Sequence, residues 1–71
     1  MNRQLVERFF ALRLTERRRV LSTLGIRRRE DDPTLPELQR DLAALLVVKA
    51  IGLAVRFDEE LTKAERQRVS L

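Results

Sequence analysis

Cysteine, histidine, tryptophan and tyrosine are all absent from this 71-residue chain. Without cysteine there is neither a disulfide framework nor a thiolate metal site. Without histidine the commonest general base and the commonest metal ligand are missing. Any aromatic stacking falls to Phe9, Phe10 and Phe57. Glycine and proline number two each, which leaves no Gly-rich phosphate loop. No apolar run approaches the roughly 20 residues a bilayer span needs. The N-terminal MNRQLVERFF has neither a long apolar core nor a small-residue cleavage site. No secretory signal is therefore expected, and the expected location is cytoplasmic.

What is present is charge and aliphatic carbon. The hydrophobic fraction of 44% and the scarcity of Gly and Pro fit one helical domain over residues 1–71, with no alternating strand pattern. The net charge of +4 is unevenly spread. Residues 1–29 carry nine arginines against Glu7 and Glu16, a balance of +7. Residues 30–71 carry six basic and nine acidic side chains, a balance of −3. Such halves attract each other within one molecule or between neighbours.

The pattern predicts four main helices. Asn2 caps the first, whose Leu5/Phe9 and Val6/Phe10 pairs at i,i+4 make a core face, and Leu14 closes it. Thr15, followed by Glu16, caps a second helix that buries Val20, Leu21 and Leu24 and stops at Gly25, with Ile26 folding back. The segment from Arg27 to Pro36 is the main loop, with room for one short extra helix. Thr34 caps a third helix with Pro36 at its first position, and a break or tight turn at Gly52 is favoured over one long continuous helix. The last helix carries Leu53, Phe57, Leu61 and Ala64 on one face, pairs Glu59 with Lys63, and frays from Gln67. The expected core is Phe9, Leu21, Leu42, Leu45, Phe57 and Leu61.

The stretch from Asp41 to Phe57 organises the chain. Between Leu42 and Val55 only Lys49 and Gly52 are not hydrophobic. A surface helix normally shows one apolar stripe. One that is apolar nearly all round is either covered on several sides or presents a patch to a partner. Val47, Val48 and Val55 are the candidate partner contacts, because they cannot all face inward with Leu38, Leu42, Leu45 and Leu46.

Two arginine clusters, Arg17-Arg18-Arg19 and Arg27-Arg28-Arg29, suit phosphates. Glu30, Asp31 and Asp32 follow directly, however, and no aromatic or recognition helix accompanies the clusters. A solvated face that pairs with the acidic half is the simpler reading. The adjacent carboxylates Asp31/Asp32 and Glu59/Glu60 have no nucleophile beside them, so catalysis by this chain is not expected. No cofactor or metal is expected either.

The order FFALRLTERRRVLSTLGI, an acidic Pro-containing loop, then LPELQRDLAALLVVKAIGLAVRFDEEL resembles the small helical adaptor domains of bacterial conflict systems. These are the effector-associated and death-like domains found with proteases, NTPases and other immune effectors. The resemblance implies an all-α, death-fold-like bundle that recruits a partner by like-with-like association, in oligomers or filaments. On that reading the basic surface comprises Arg17, Arg18, Arg19, Arg27, Arg28 and Arg29. The acidic surface comprises Asp31, Asp32, Asp58, Glu59 and Glu60, with Val47, Val48 and Val55 as apolar contacts. A small basic nucleic-acid-binding regulator ranks second, and a designed helical oligomer third.

Overall fold

Asn2 opens the first helix as its cap, accepting a 2.8 Å hydrogen bond from the Gln4 amide on its side-chain oxygen. In the computed structural model, which describes residues 1–27 and 33–69, the chain then forms α1 (Arg3–Ala11), α2 (Leu14–Thr23), α3 (Glu37–Ala50) and α4 (Ala54–Val69). Among the described residues there is no strand, and the architecture is an all-α bundle of four helices. None of these helices is long and apolar enough to cross a membrane.

Several boundaries move from their expected places. Leu14 opens α2 rather than closing the first helix, because the Glu16 carboxylate reaches back to accept from the Arg13 amide at 2.8 Å. That contact makes Arg13 the cap in place of Thr15. Pro36, not Thr34, is the residue before α3, so the proline stands at the cap itself. The Gln67 end of α4 is helical through Val69, and Arg68 holds it by approaching Glu16 (3.6 Å) and the Ala11 carbonyl (3.4 Å). The expected short helix between Arg27 and Pro36 falls mainly on residues 28–32, outside the described residues. Pro33 and Thr34 form a turn.

Both glycines end helices as expected. Gly25 (φ +75°) and Gly52 (φ +74°) are left-handed, a conformation that costs a side-chain-bearing residue about 1–2 kcal/mol. After each, the chain closes the same pair of bonds. Gly25 and Ile26 donate to Ser22 and Leu21 (both 2.9 Å). Gly52 and Leu53 donate to Lys49 and Val48 (3.2 and 3.0 Å). Ile26 is thereby folded into the core.

The shared neighbour of the other three helices is α4, with α2 as its main contact. Phe57 and Leu61 are wholly buried on its inner face, and Phe9 of α1 meets Phe57 at 5.5 Å between ring centroids and Phe10 edge-on at 5.3 Å. Leu12, Val20, Leu21, Leu24, Ala44, Leu45 and Val48 complete the core with Ile26. Leu42 does not belong to it, being 44% exposed. Nor is α3 covered all round. It buries a single stripe, Asp41, Ala44, Leu45 and Val48, at the i, i+3, i+4, i+7 spacing of one helical face.

This rotation of α3 separates two adjacent leucines. Leu45→Ala costs about 2–5 kcal/mol, whereas Leu46→Ala stays within about 0.5 kcal/mol, as surface changes do. Denaturant unfolding at low protein concentration measures both, and the reverse order would mean that the other side of α3 faces the core.

Candidate functional site

Among the described candidate interface residues, Arg17 is the most heavily engaged, and it is engaged internally. Its Nη1 donates to the carbonyls of Leu12 (3.2 Å) and Phe10 (3.5 Å) where α1 ends. Its Nε lies 3.2 Å from Asp41 Oδ2, and its guanidinium carbon lies 5.6 Å from the Phe10 ring centroid. The two side chains are 17% and 1% exposed. Arg17 therefore leaves the basic surface. Its charge is neutralised inside the protein and ties α1, α2 and α3 together. Asp41, closed to solvent, is a structural carboxylate.

Arg8 plays the corresponding part nearer the surface, between α1 and α4. It donates to Glu65 through Nε (3.0 Å) and Nη2 (2.7 Å), to Asp58 through Nη1 (2.8 Å), and to Thr62 Oγ1 (3.2 Å). The two-pronged contact from Arg8 holds the Glu65 carboxyl below the ordinary 4.5 of a glutamate, and the same bonds raise the guanidinium still higher. Asp58 is thus partly committed within the molecule. Glu60 turns inward to meet Lys63 at 3.1 Å, three residues away, in place of the expected Glu59–Lys63 pair. Arg18 approaches Glu37 at 3.6 Å, and Arg19 donates weakly to Gln67 at 3.5 Å. Arg28, Arg29, Asp31 and Asp32 lie outside the described residues. Of the proposed charged surfaces, Arg18, Arg19, Arg27, Asp58 and Glu59 are the described members that stay mainly exposed, Asp58 while bonded to Arg8.

The apolar set changes most. Val48 is fully buried in the core, because it lies on the stripe that Asp41 and Leu45 define, so it cannot be a partner contact. Val47 and Val55 are exposed, as expected of contacts. The larger apolar exposure lies at residues that sequence reasoning set on the inner side. Leu38, Leu42 and Leu46 line the outer side of α3, Leu46 being 68% exposed, and Ile51 lies open at its end. Leu42, Leu45 and Leu46 form, with Met1, Val6 and Lys49, a shallow groove of about 410 Å³. Lys49 is the charged side chain on its wall. The signal that would have found this face is the four-residue spacing of Leu38, Leu42 and Leu46, once Asp41 is recognised as buried.

These features make two apolar surfaces on opposite flanks of one helix, with the ionic network used chiefly for internal fastening. Among the described residues no three metal-ligating side chains gather. No family model matches the chain, and no curated protein or solved structure is significantly similar to it.

Two predictions concern the ionic fastenings. Asp41→Leu and Arg17→Met each cost about 3–5 kcal/mol, because either change removes one partner of an ion pair whose carboxylate is closed to solvent. The double variant loses less than the sum by at least about 1 kcal/mol, whereas additivity within about 0.5 kcal/mol would show that the pair is uncoupled. The second concerns pH. Glu65 has a depressed folded pKa, so its contribution is complete above the ordinary 4.5 and is lost as pH falls through the folded value. The stability difference between wild type and Glu65→Gln should follow that course in acid titrations of unfolding. A difference that is flat across the acidic range would contradict it.

Proposed function

We propose that the chain is a non-catalytic protein–protein interaction module that associates with copies of itself or with a similar helical domain. The single observation that carries this reading is the open apolar surface of α3 and its C-terminal turn. Leu38, Leu42, Leu46, Val47, Ile51 and Val55 are all exposed on one small domain. Exposed apolar surface of this kind, here on two flanks of α3, marks interaction sites. The likeness to death-like and effector-associated domains agrees with it, and on that likeness the partner belongs to a bacterial immune effector in the cytoplasm.

Magnitudes set the strength of such association. A large aliphatic side chain contributes about 1.5–3 kcal/mol when it goes from fully exposed to fully buried. Covering what remains exposed on these six gives roughly 5–10 kcal/mol. Association itself costs about 4–15 kcal/mol. The balance is close, so binding is weak for one contact and strengthens when many copies are held together. Direct nucleic-acid binding ranks second, since Arg17 is half-buried against Asp41 and Arg18 faces Glu37.

Solution mass across a concentration series tests the reading. The average mass rises from that of a monomer, with a midpoint between about 10 μM and 1 mM. A strictly monomeric mass up to about 2 mM, with no assembly on a similar domain, would overturn it.

A further inference from the structure

A polar cleft of about 410 Å³ opens between the start of α2 and the end of α4 and shares no lining residue with α3. Arg13, Thr15, Glu16 and Arg19 line it on one side, Gln67 and Arg68 on the other. Its volume lies in the range of about 300–1,000 Å³ typical of small-molecule clefts. Three guanidinium groups thus border one cavity. Arg13 and Arg19 are exposed and form no ion pair among the described residues, Arg19 making a weak 3.5 Å contact with Gln67. Arg68 is positioned by Glu16 and the Ala11 carbonyl, at 3.6 and 3.4 Å. Glu16 is the one carboxylate on the wall, and it already accepts from the Arg13 amide. The lining therefore carries three cations against one anion, a balance of +2. The adjoining hollow between α2 and α4 adds Lys63 and Glu60, which pair with each other at 3.1 Å and leave that balance as it is.

We infer that this cleft binds a phosphate dianion, either the free ion or the end group of a small phosphate monoester, between Arg13, Arg19 and Arg68. Two negative charges match the balance of the wall. Guanidinium forks suit phosphate oxygens, and donors from three residues around a cavity suit a tetrahedral anion better than a planar carboxylate. A phosphodiester carries a single charge per phosphate and meets only half of that balance, which sets this site apart from nucleic-acid binding. Thr15 and Gln67 offer a hydroxyl and a carboxamide to the remainder of an ester. The donors stand at the start of α2 and the end of α4, so the bound anion spans the two helices. None of the six apolar residues proposed above for self-association lines the cleft, so the two sites are independent.

The test is an NMR titration of the chain with inorganic phosphate, glycerol phosphate or dimethyl phosphate, at constant ionic strength. A pH of about 7.5 keeps a monoester chiefly dianionic, since its second pKa is about 6. Saturable shifts are expected at Arg13, Thr15, Arg19 and Gln67 with the first two anions, and dimethyl phosphate, with one charge, binds at least about threefold more weakly. Tighter binding of glycerol phosphate assigns the cleft to an ester, and equal or tighter binding of inorganic phosphate assigns it to the free ion. Arg13→Gln and Arg19→Gln each weaken binding by about threefold to tenfold. Arg18→Gln, next in the run but facing Glu37, changes it by less than about twofold. All three positions are exposed, so the fold is retained, which circular dichroism checks. Shifts that fail to saturate by about 20 mM, well beyond weak binding, overturn the inference. So does a dimethyl phosphate response equal to that of the dianions, or an Arg18 variant as damaging as that of Arg19. A single-stranded oligonucleotide that displaces glycerol phosphate and binds at least about tenfold tighter overturns it in favour of nucleic acid.

Discussion

The ion pair of half-buried Arg17 with buried Asp41 is the constraint on which the arrangement of this domain depends. A carboxylate at 1% exposure is costly unless partners compensate it, and Arg17 reaches it from a fixed direction. Arg17 is itself held by the Leu12 and Phe10 carbonyls at the end of α1. The rotation of α3 is therefore tied to the junction between α1 and α2. With Asp41 turned inward, Ala44, Leu45 and Val48 follow it by helical periodicity. Leu38, Leu42 and Leu46 are then obliged to face out. The apolar exposure of α3 is in this sense a consequence of burying an ion pair.

The size of the domain completes the argument. A chain this short buries a smaller share of its surface than a larger domain does, and among the described residues the outer side of α3 stays exposed. The other helices are already engaged with α4, through the core of Phe9, Leu21, Phe57 and Leu61 and through the Arg8 contacts. Two left-handed glycines turn the chain sharply at the ends of α2 and α3. The second turn brings Ile51 and Val55 to the corner between helices. Interior fastening consumes much of the charge that the composition suggested for partners. The exposed aliphatic side chains are what remains for recognition of another protein.

Much of the fold is legible in the sequence, because the signals there are local. Asn2, Gly25 and Gly52 mark helix ends through their own backbone chemistry, and Phe9, Leu21, Leu45, Phe57 and Leu61 lie on periodic faces. The candidate site is less legible, for a physical reason centred on Asp41. A polar residue at the edge of an apolar helix reads as outward-facing, since desolvating a charge is costly unless a partner compensates it. The partner, Arg17, stands 24 residues away in a run of three arginines with nothing local to distinguish it from Arg18 and Arg19. Turning Asp41 outward places Leu42 in the core and Val48 at the surface, the reverse of what is found. Lys63 pairs with Glu60 at i,i+3 although Glu59 offers it the i,i+4 spacing, and spacing alone does not choose between the two.

The account thus joins an internal electrostatic constraint to an external apolar surface, and both are visible in one measurement. Methyl NMR spectra of the chain, recorded as its concentration is raised, report each aliphatic side chain separately. The account predicts shifts and broadening confined to Leu38, Leu42, Leu46, Val47, Ile51 and Val55, while Leu45, Val48 and Leu61 keep their positions. Equal changes at the buried and exposed methyls, or none at the exposed ones up to about 2 mM, a range that covers weak association, would contradict it.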